Sequence, residues 1–486
     1  MERRAFLKVA GVVAGATLSA CTPVYRVLDD ALDGPAEWIE GDAASFRLLN
    51  RLTYGPNLGE RARADAIGIP GWIEEQLDPS GIADARADLL LRPLTSLTLQ
   101  AADLAAWEKA DVIVELKRGA LLRKIYSRRQ LLEVLAEFWS DHFNVSVEKG
   151  ACWYLKTVED RDVIRRHAFG NFRDLLLASA HSPAMLVYLD NQVNDRRAPN
   201  ENYARELLEL HTLGVDGGYS QADVMELARC LTGWSVKDRF WRGQFVFREG
   251  MHDPGLKEVL GVTIRPGGEA EAESVLDRLA SHPTTARRLA RKLTRRFLGS
   301  GEDLPEALVE RATQAYLASG GEIKPMLRTI LLDGVAQRQA DLVPRFKRPM
   351  DYVASALRML DAFTNAGAPV LGHLARMGHS LFEWPTPDGP PEEMAAWQGG
   401  LFARWDFAHD LGRGRLEGTE VDRELWSRHA GVEGLVEELD GLASILLGAR
   451  IAEPDRSNLL RAIASEPEAP NLLLAGLVGS PAFQWR

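Results

Sequence analysis

Cysteine is nearly absent from this chain of 486 residues, with three in all, so no dense disulfide framework can hold the fold together. A long basic block is also missing after the first few residues, and the formal net charge is -11. That balance gives a nucleic-acid partner little electrostatic support. Several compact catalytic signatures are missing as well: no GxSxG elbow, no phosphate-binding P-loop, no GxGxxG followed by an acidic residue, and no HExxH. Serine hydrolase, NTPase and dinucleotide-dependent chemistries are therefore disfavoured, and a compact zinc-protease ligand set is absent. What remains is ample for large packed cores: 46% of residues are hydrophobic and 26% are charged, the balance of a folded rather than a disordered chain.

The N-terminus carries the most specific local signal. Met1-Glu2-Arg3-Arg4-Ala5-Phe6-Leu7-Lys8 resembles a twin-arginine export signal, and the apolar stretch Val9 to Ala20 is too short to span a bilayer in a mature protein. Leu18-Ser19-Ala20-Cys21 then resembles a lipobox, which would place a lipid on Cys21 after cleavage and anchor the protein to a membrane. Removal of residues 1–20 would leave a net charge of -13. The expectation is an acidic envelope lipoprotein, periplasmic in orientation, with residues 21–42 as a tether. Thr22 after the acylated cysteine favours an outer membrane where the host has one. Cys152 and Cys230 then remain, readable either as a disulfide or as buried thiols.

From Ala43 onward the apolar spacing is helical almost everywhere. The exception is 234–266, where Gln244-Phe245-Val246-Phe247 and Val259 to Ile264 have strand character around the turn Met251 to Lys257, predicting a small β-hairpin insert. The expected fold is mainly α, a multi-helical body in two packed lobes, 43–233 and 267–486, with that insert between them. The organising stretch is Asn200 to Gly214. Asn200 suits an N-cap and Gly214 a stop. On a regular helix, Asn202, Glu206 and Glu209 share one face while Tyr203, Ala204, Leu207, Leu208 and Leu210 share another. Arg205 lies four residues from both Glu201 and Glu209, so part of this charge is spent on intrahelical pairs.

Several stretches taken together resemble the bacterial family known as domain of unknown function 1800: Arg51 to Pro56, Phe138 to Val145, Asn200 to Gly214, Tyr219 to Val224 with Leu231 to Trp234, His252 to Lys257, and Leu401 to Ala408. The resemblance covers most of the mature chain. It departs at His379 to Trp384, where an asparagine-containing Pro-rich turn is commoner, and no site is placed there. It implies an exported bacterial protein, often encoded beside a second exported family related to alkaline phosphatases and sulfatases, and implies no established reaction.

Three functional expectations compete. A divalent metal would be held by His142, Glu206, Glu209 and His252, through imidazole nitrogen and carboxylate oxygen, with open positions for water. Metal-free acid-base hydrolysis of an envelope substrate would use Glu206, Glu209 and Asp253, with Asn202, Arg205 and Lys257 binding and Trp139, Trp234 and Trp241 available to stack on sugar rings. The third expectation is a non-catalytic scaffold for an exported phosphatase- or sulfatase-like partner. Against the first two stand local alternatives: a salt-bridge network of Glu206 and Glu209 with Arg205, Arg229 or Lys257, a neutral core histidine at 142, and an ordinary Asp-Pro-Gly turn at 253.

Overall fold

A computed structural model describes residues 43–238, 242–299, 304–337, 342–422, 434–451, 453, 455–463 and 469–486. The export signal, Cys21, the tether and Trp241 lie outside the described residues. The body is mainly α, as the spacing predicts. Its principal helices are α1 (Ala43–Leu52), α2 (Leu58–Gln76), α3 (Lys109–Tyr126), α4 (Gln130–His142), α5 (Phe172–Ala180), α6 (Asn202–Glu206), α7 (Gln221–Cys230), α8 (Ala270–Ser281), α9 (Pro283–Leu298), α10 (Glu306–Ala318), α11 (Pro349–Met359), α12 (Leu401–Gly412) and α13 (Ala469–Val478).

The region 234–266 forms two hairpins rather than one. Strand β1 (Trp234–Val236) pairs antiparallel with β2 (Phe245–Phe247), and β3 (Lys257–Val259) with β4 (Val262–Ile264). The second hairpin turns at Leu260-Gly261, both at positive φ (51° and 70°), the twist that two-residue hairpin loops require. A last short pair joins β5 (Phe363–Thr364) to β6 (Thr419–Glu420).

Buried apolar side chains form one continuous cluster reaching from Phe46 to Phe483. The two halves interlock: α11 packs on α3, and α9 touches α1. Helix α11 is the centre of this arrangement, because all eleven of its residues are buried. A helix with no solvent face must satisfy its charges internally. Arg348, its N-cap, meets Glu137 and Asp141 at 2.7 Å each, Asp351 in its first turn meets Arg486 at 3.2 Å, and Arg358 in its last turn meets Glu60 at 2.6 Å. An acid at the N-terminal end and a cation at the C-terminal end also suit the helix dipole.

Breaking a buried pair leaves an uncompensated charge, which costs about 3–5 kcal/mol. Arg348→Met is therefore expected to lower unfolding stability by roughly that amount, seen as a lower urea midpoint with an unchanged denaturant slope; a shift below 1 kcal/mol would contradict this assignment.

Candidate functional site

The organising helix starts later than expected: Glu201 is its N-cap and supplies no side-chain cap, while the Asn200 Oδ1 accepts the Asn202 amide at 2.9 Å from the turn before it. The Asn202 amide group then donates to Leu189 O at 3.2 Å. Beyond Glu206 the regular helix ends. Leu207–His211 is a π-helical turn, in which each bond spans one more residue. The regular face that would stack Glu209 under Glu206 stops there. Arg205 is taken by Glu201 at 2.9 Å and Gln221 at 3.1 Å, with Glu209 farther at 3.8 Å. Burial, then the neighbouring Glu209 carboxylate, push the Tyr219 hydroxyl up to about 12.

Glu206 stands apart. Its half-buried carboxyl forms no ion pair with any described residue, and burial, then Glu209, then Asp388, raise its pKa, against Arg205. Asp388 is carried by the loop Trp384 to Gly389, which is pinned to the body. Asn144 donates to Trp384 O at 3.1 Å and Thr386 O at 2.7 Å, and the Tyr188 hydroxyl donates to Pro385 O at 2.8 Å. Gly389 closes the loop at φ 78°, so near the Asp141 carbonyl that a Cβ would lie 2.4 Å from its oxygen.

The four expected metal ligands do not meet. His142 is buried among Phe138, Trp139, Phe143 and Phe172. Its Nε2 donates to His211 O at 3.1 Å and its Nδ1 accepts from Lys292 at 2.8 Å. Burial, then the Lys292 charge, hold its pKa well below the ordinary histidine range. His252 is buried on the hairpin side, with Nδ1 against Thr232 O at 2.8 Å and Nε2 against Glu271 at 3.1 Å. With both nitrogens of each ring engaged, neither offers a lone pair to an ion shared with Glu206 and Glu209.

Asp253 and Lys257 belong to the His252 network. Arg229 grips Asp253 at 2.8 and 3.2 Å, and that bond chiefly holds the carboxyl down at about 2. The Lys257 ammonium is buried and donates to Glu271 and Asp253 O. Trp139 and Trp234 are fully buried, so neither ring face is open to a sugar. Cys152 and Cys230 are separate buried thiols, with burial pushing each up to about 12.

Sequence reasoning missed two groupings. One surrounds Glu137, where burial opposes the charge but Arg348, Lys124 and Arg296 outweigh it and hold the carboxyl well below its usual range. A cavity of about 40 Å³ beside it is lined by Lys124, Glu137, Asp141, Asn144, His379 and Trp384, room for a few waters. The other is Lys292, whose ammonium lies against neutral His142 with no carboxylate partner among the described residues; burial, then Arg288, lower it to about 8. The basic spacing of α9 shows only a cationic face.

A family model described as "Protein of unknown function (DUF1800)" matches residues 47–485. The chain belongs to this family. The match takes in α4, the organising helix, both hairpins and the pinned loop. No curated protein and no solved structure matches the chain. Membership in DUF1800 therefore fixes kinship without a reaction, and the chemistry has to be argued from the side chains.

Histidine burial sets the acid response. His211 and His379 are both lowered to about 3, burial being the first cause in each, whereas an unfolded histidine titrates near 6.5. Between those values the unfolded chain binds protons that the folded chain refuses, so stability is full above about pH 6.5 and falls as pH drops, by about 1.4 kcal/mol per pH unit for each such histidine. Carboxylates held near 2 contribute their loss at lower pH. Comparing urea unfolding at pH 7 and pH 5, His211→Phe is expected to flatten the loss by about one proton's worth; an unchanged slope would refute neutral burial of His211.

Proposed function

We propose that this DUF1800 protein is a lipid-anchored component of the bacterial envelope, tethered through Cys21, that hydrolyses an envelope substrate by acid-base chemistry on the Glu206 face. The observation that carries this reading is the Glu206 carboxyl: half-buried, without an ion pair among the described residues, and raised by burial and by Glu209. A carboxyl whose pKa is raised by burial and a like-charged neighbour is suited to protonating a leaving group, and an ionised neighbour can take a proton from water. Glu209, only loosely held by Arg205, and Asp388, exposed on the pinned loop, are the neighbours available for the second role. Asp253, neutralised by Arg229, is left out of the reacting set, and so is a metal shared by His142, Glu206, Glu209 and His252.

A second reading, a scaffold for an exported phosphatase- or sulfatase-like partner, draws support from a different surface. On α12, Leu401, Phe402 and Trp405 are 39%, 77% and 54% exposed, and the Phe402 and Trp405 rings meet edge-on at 5.5 Å. Exposed aromatic patches of this kind mark contact surfaces more often than chance.

The two readings part in one assay. Purified envelope polymers are incubated with the full-length protein, and release of soluble fragments is followed across pH. Hydrolysis predicts release by the native protein and a loss of about 10²–10⁴-fold in Glu206→Gln with an unchanged melting temperature. No release by the native protein, or full release by the variant, would overturn the hydrolase. Photocrosslinking from position 402 to an exported protein would then be the result expected of the scaffold.

A further inference from the structure

We propose that His181, Glu269 and Glu273 form a binding site for a divalent first-row transition-metal ion, with zinc as its reference occupant. These residues lie outside the face described above and join two helices more than eighty positions apart in the chain. His181 caps the C-terminus of α5, while Glu269 and Glu273 stand one turn apart at the start of α8.

The imidazole is prepared as a ligand. Its Nδ1 lies 3.1 Å from the Leu177 carbonyl and must donate to it, which puts the lone pair on Nε2. A backbone carbonyl on the far nitrogen is the usual second partner of a metal-bound histidine, fixing tautomer and ring direction. The ring is further locked by stacking on Trp234 of β1, with centroids 4.4 Å apart at 16°, and by the edge contact of Phe245 of β2 at 4.6 Å. The first hairpin thus orients a ligand that neither helix could hold alone.

Among the described residues nothing answers that lone pair. The Nε2 atom is buried and has no hydrogen-bond partner among the described residues, and the Glu273 and Glu269 carboxylates lie 3.4 and 3.9 Å from it. Neither carboxylate has a Lys or Arg partner among the described residues. Asp277, a turn further along α8, is neutralised by Arg173 at 2.7 Å. Three electron-rich atoms therefore face one another, all within 4.8 Å. Such an arrangement is repulsive until a cation enters. Bonds of about 2.0–2.2 Å at tetrahedral angles separate ligand atoms by about 3.3–3.6 Å, so a modest movement of the 40–43% exposed glutamate side chains would close the set. The exposed side leaves a fourth position to water, and one imidazole with two carboxylates suits zinc or a neighbouring divalent ion better than magnesium.

The full chain, stripped with chelator, would be titrated with Zn²⁺ by calorimetry, and with Co²⁺ by visible absorption as a report of imidazole-carboxylate coordination. One equivalent is expected to bind and to raise the melting temperature. His181→Ala should weaken binding by at least about tenfold. The double variant Glu269→Gln with Glu273→Gln changes only partly exposed side chains, keeps the fold testable, and should do the same. Absence of stoichiometric binding, or binding undiminished in the double variant, would overturn the site.

Discussion

The ion cluster around Glu137 is the constraint on which the rest of the body depends. A carboxylate with no solvent can stay ionised only if cations are brought to it, and here they come from separate parts of the chain: Lys124 from α3, Arg296 from α9 and Arg348 from the cap of α11. Arg296 and Arg345 then share Glu392, and Asp351 takes Arg486. Satisfying that one charge dictates how α4, α9 and α11 must meet. Those helices in turn carry His142 and Lys292 and, through Asp141 and Asn144, seat the loop that bears Asp388.

The same logic separates the chain's polar residues by use. Most of the charges nominated on chemical grounds are consumed locally: Asp253 by Arg229, Lys257 by Glu271, Arg205 by Glu201. Glu206, together with Lys292 and the His181 group that the sequence did not nominate, stands apart, each without its natural partner among the described residues. Unanswered groups of this sort are where reactivity and ligand binding concentrate.

Much of the architecture was legible in the amino-acid order. Helical spacing and the strand character of 244–247 and 259–264 emerge from local chemistry. Pairing did not: the stretch 234–266 reads as a single hairpin, and only the fold sets Trp234–Val236 beside Phe245–Phe247 and Lys257–Val259 beside Val262–Ile264. The π turn at Leu207–His211 was equally hidden, since its extra residue per turn is chosen by packing around buried His211 rather than by any residue's own preference. Lys292, Arg295 and Arg296 read only as one basic face of α9 when spacing alone is considered. Only the fold shows that Arg296 reaches Glu137 across 159 positions, and no pattern in the sequence announces that His181 will face Glu269 and Glu273.

The distances along the chain within the Glu137 cluster carry a consequence for biosynthesis. As the polypeptide leaves the ribosome, Glu137 emerges long before Arg296 and Arg348, so the fully buried state of this carboxylate is inaccessible to the nascent chain. The early helices must wait, hydrated and loosely associated, until α11 has been made. Folding of such a body is a late event that follows synthesis of most of the chain.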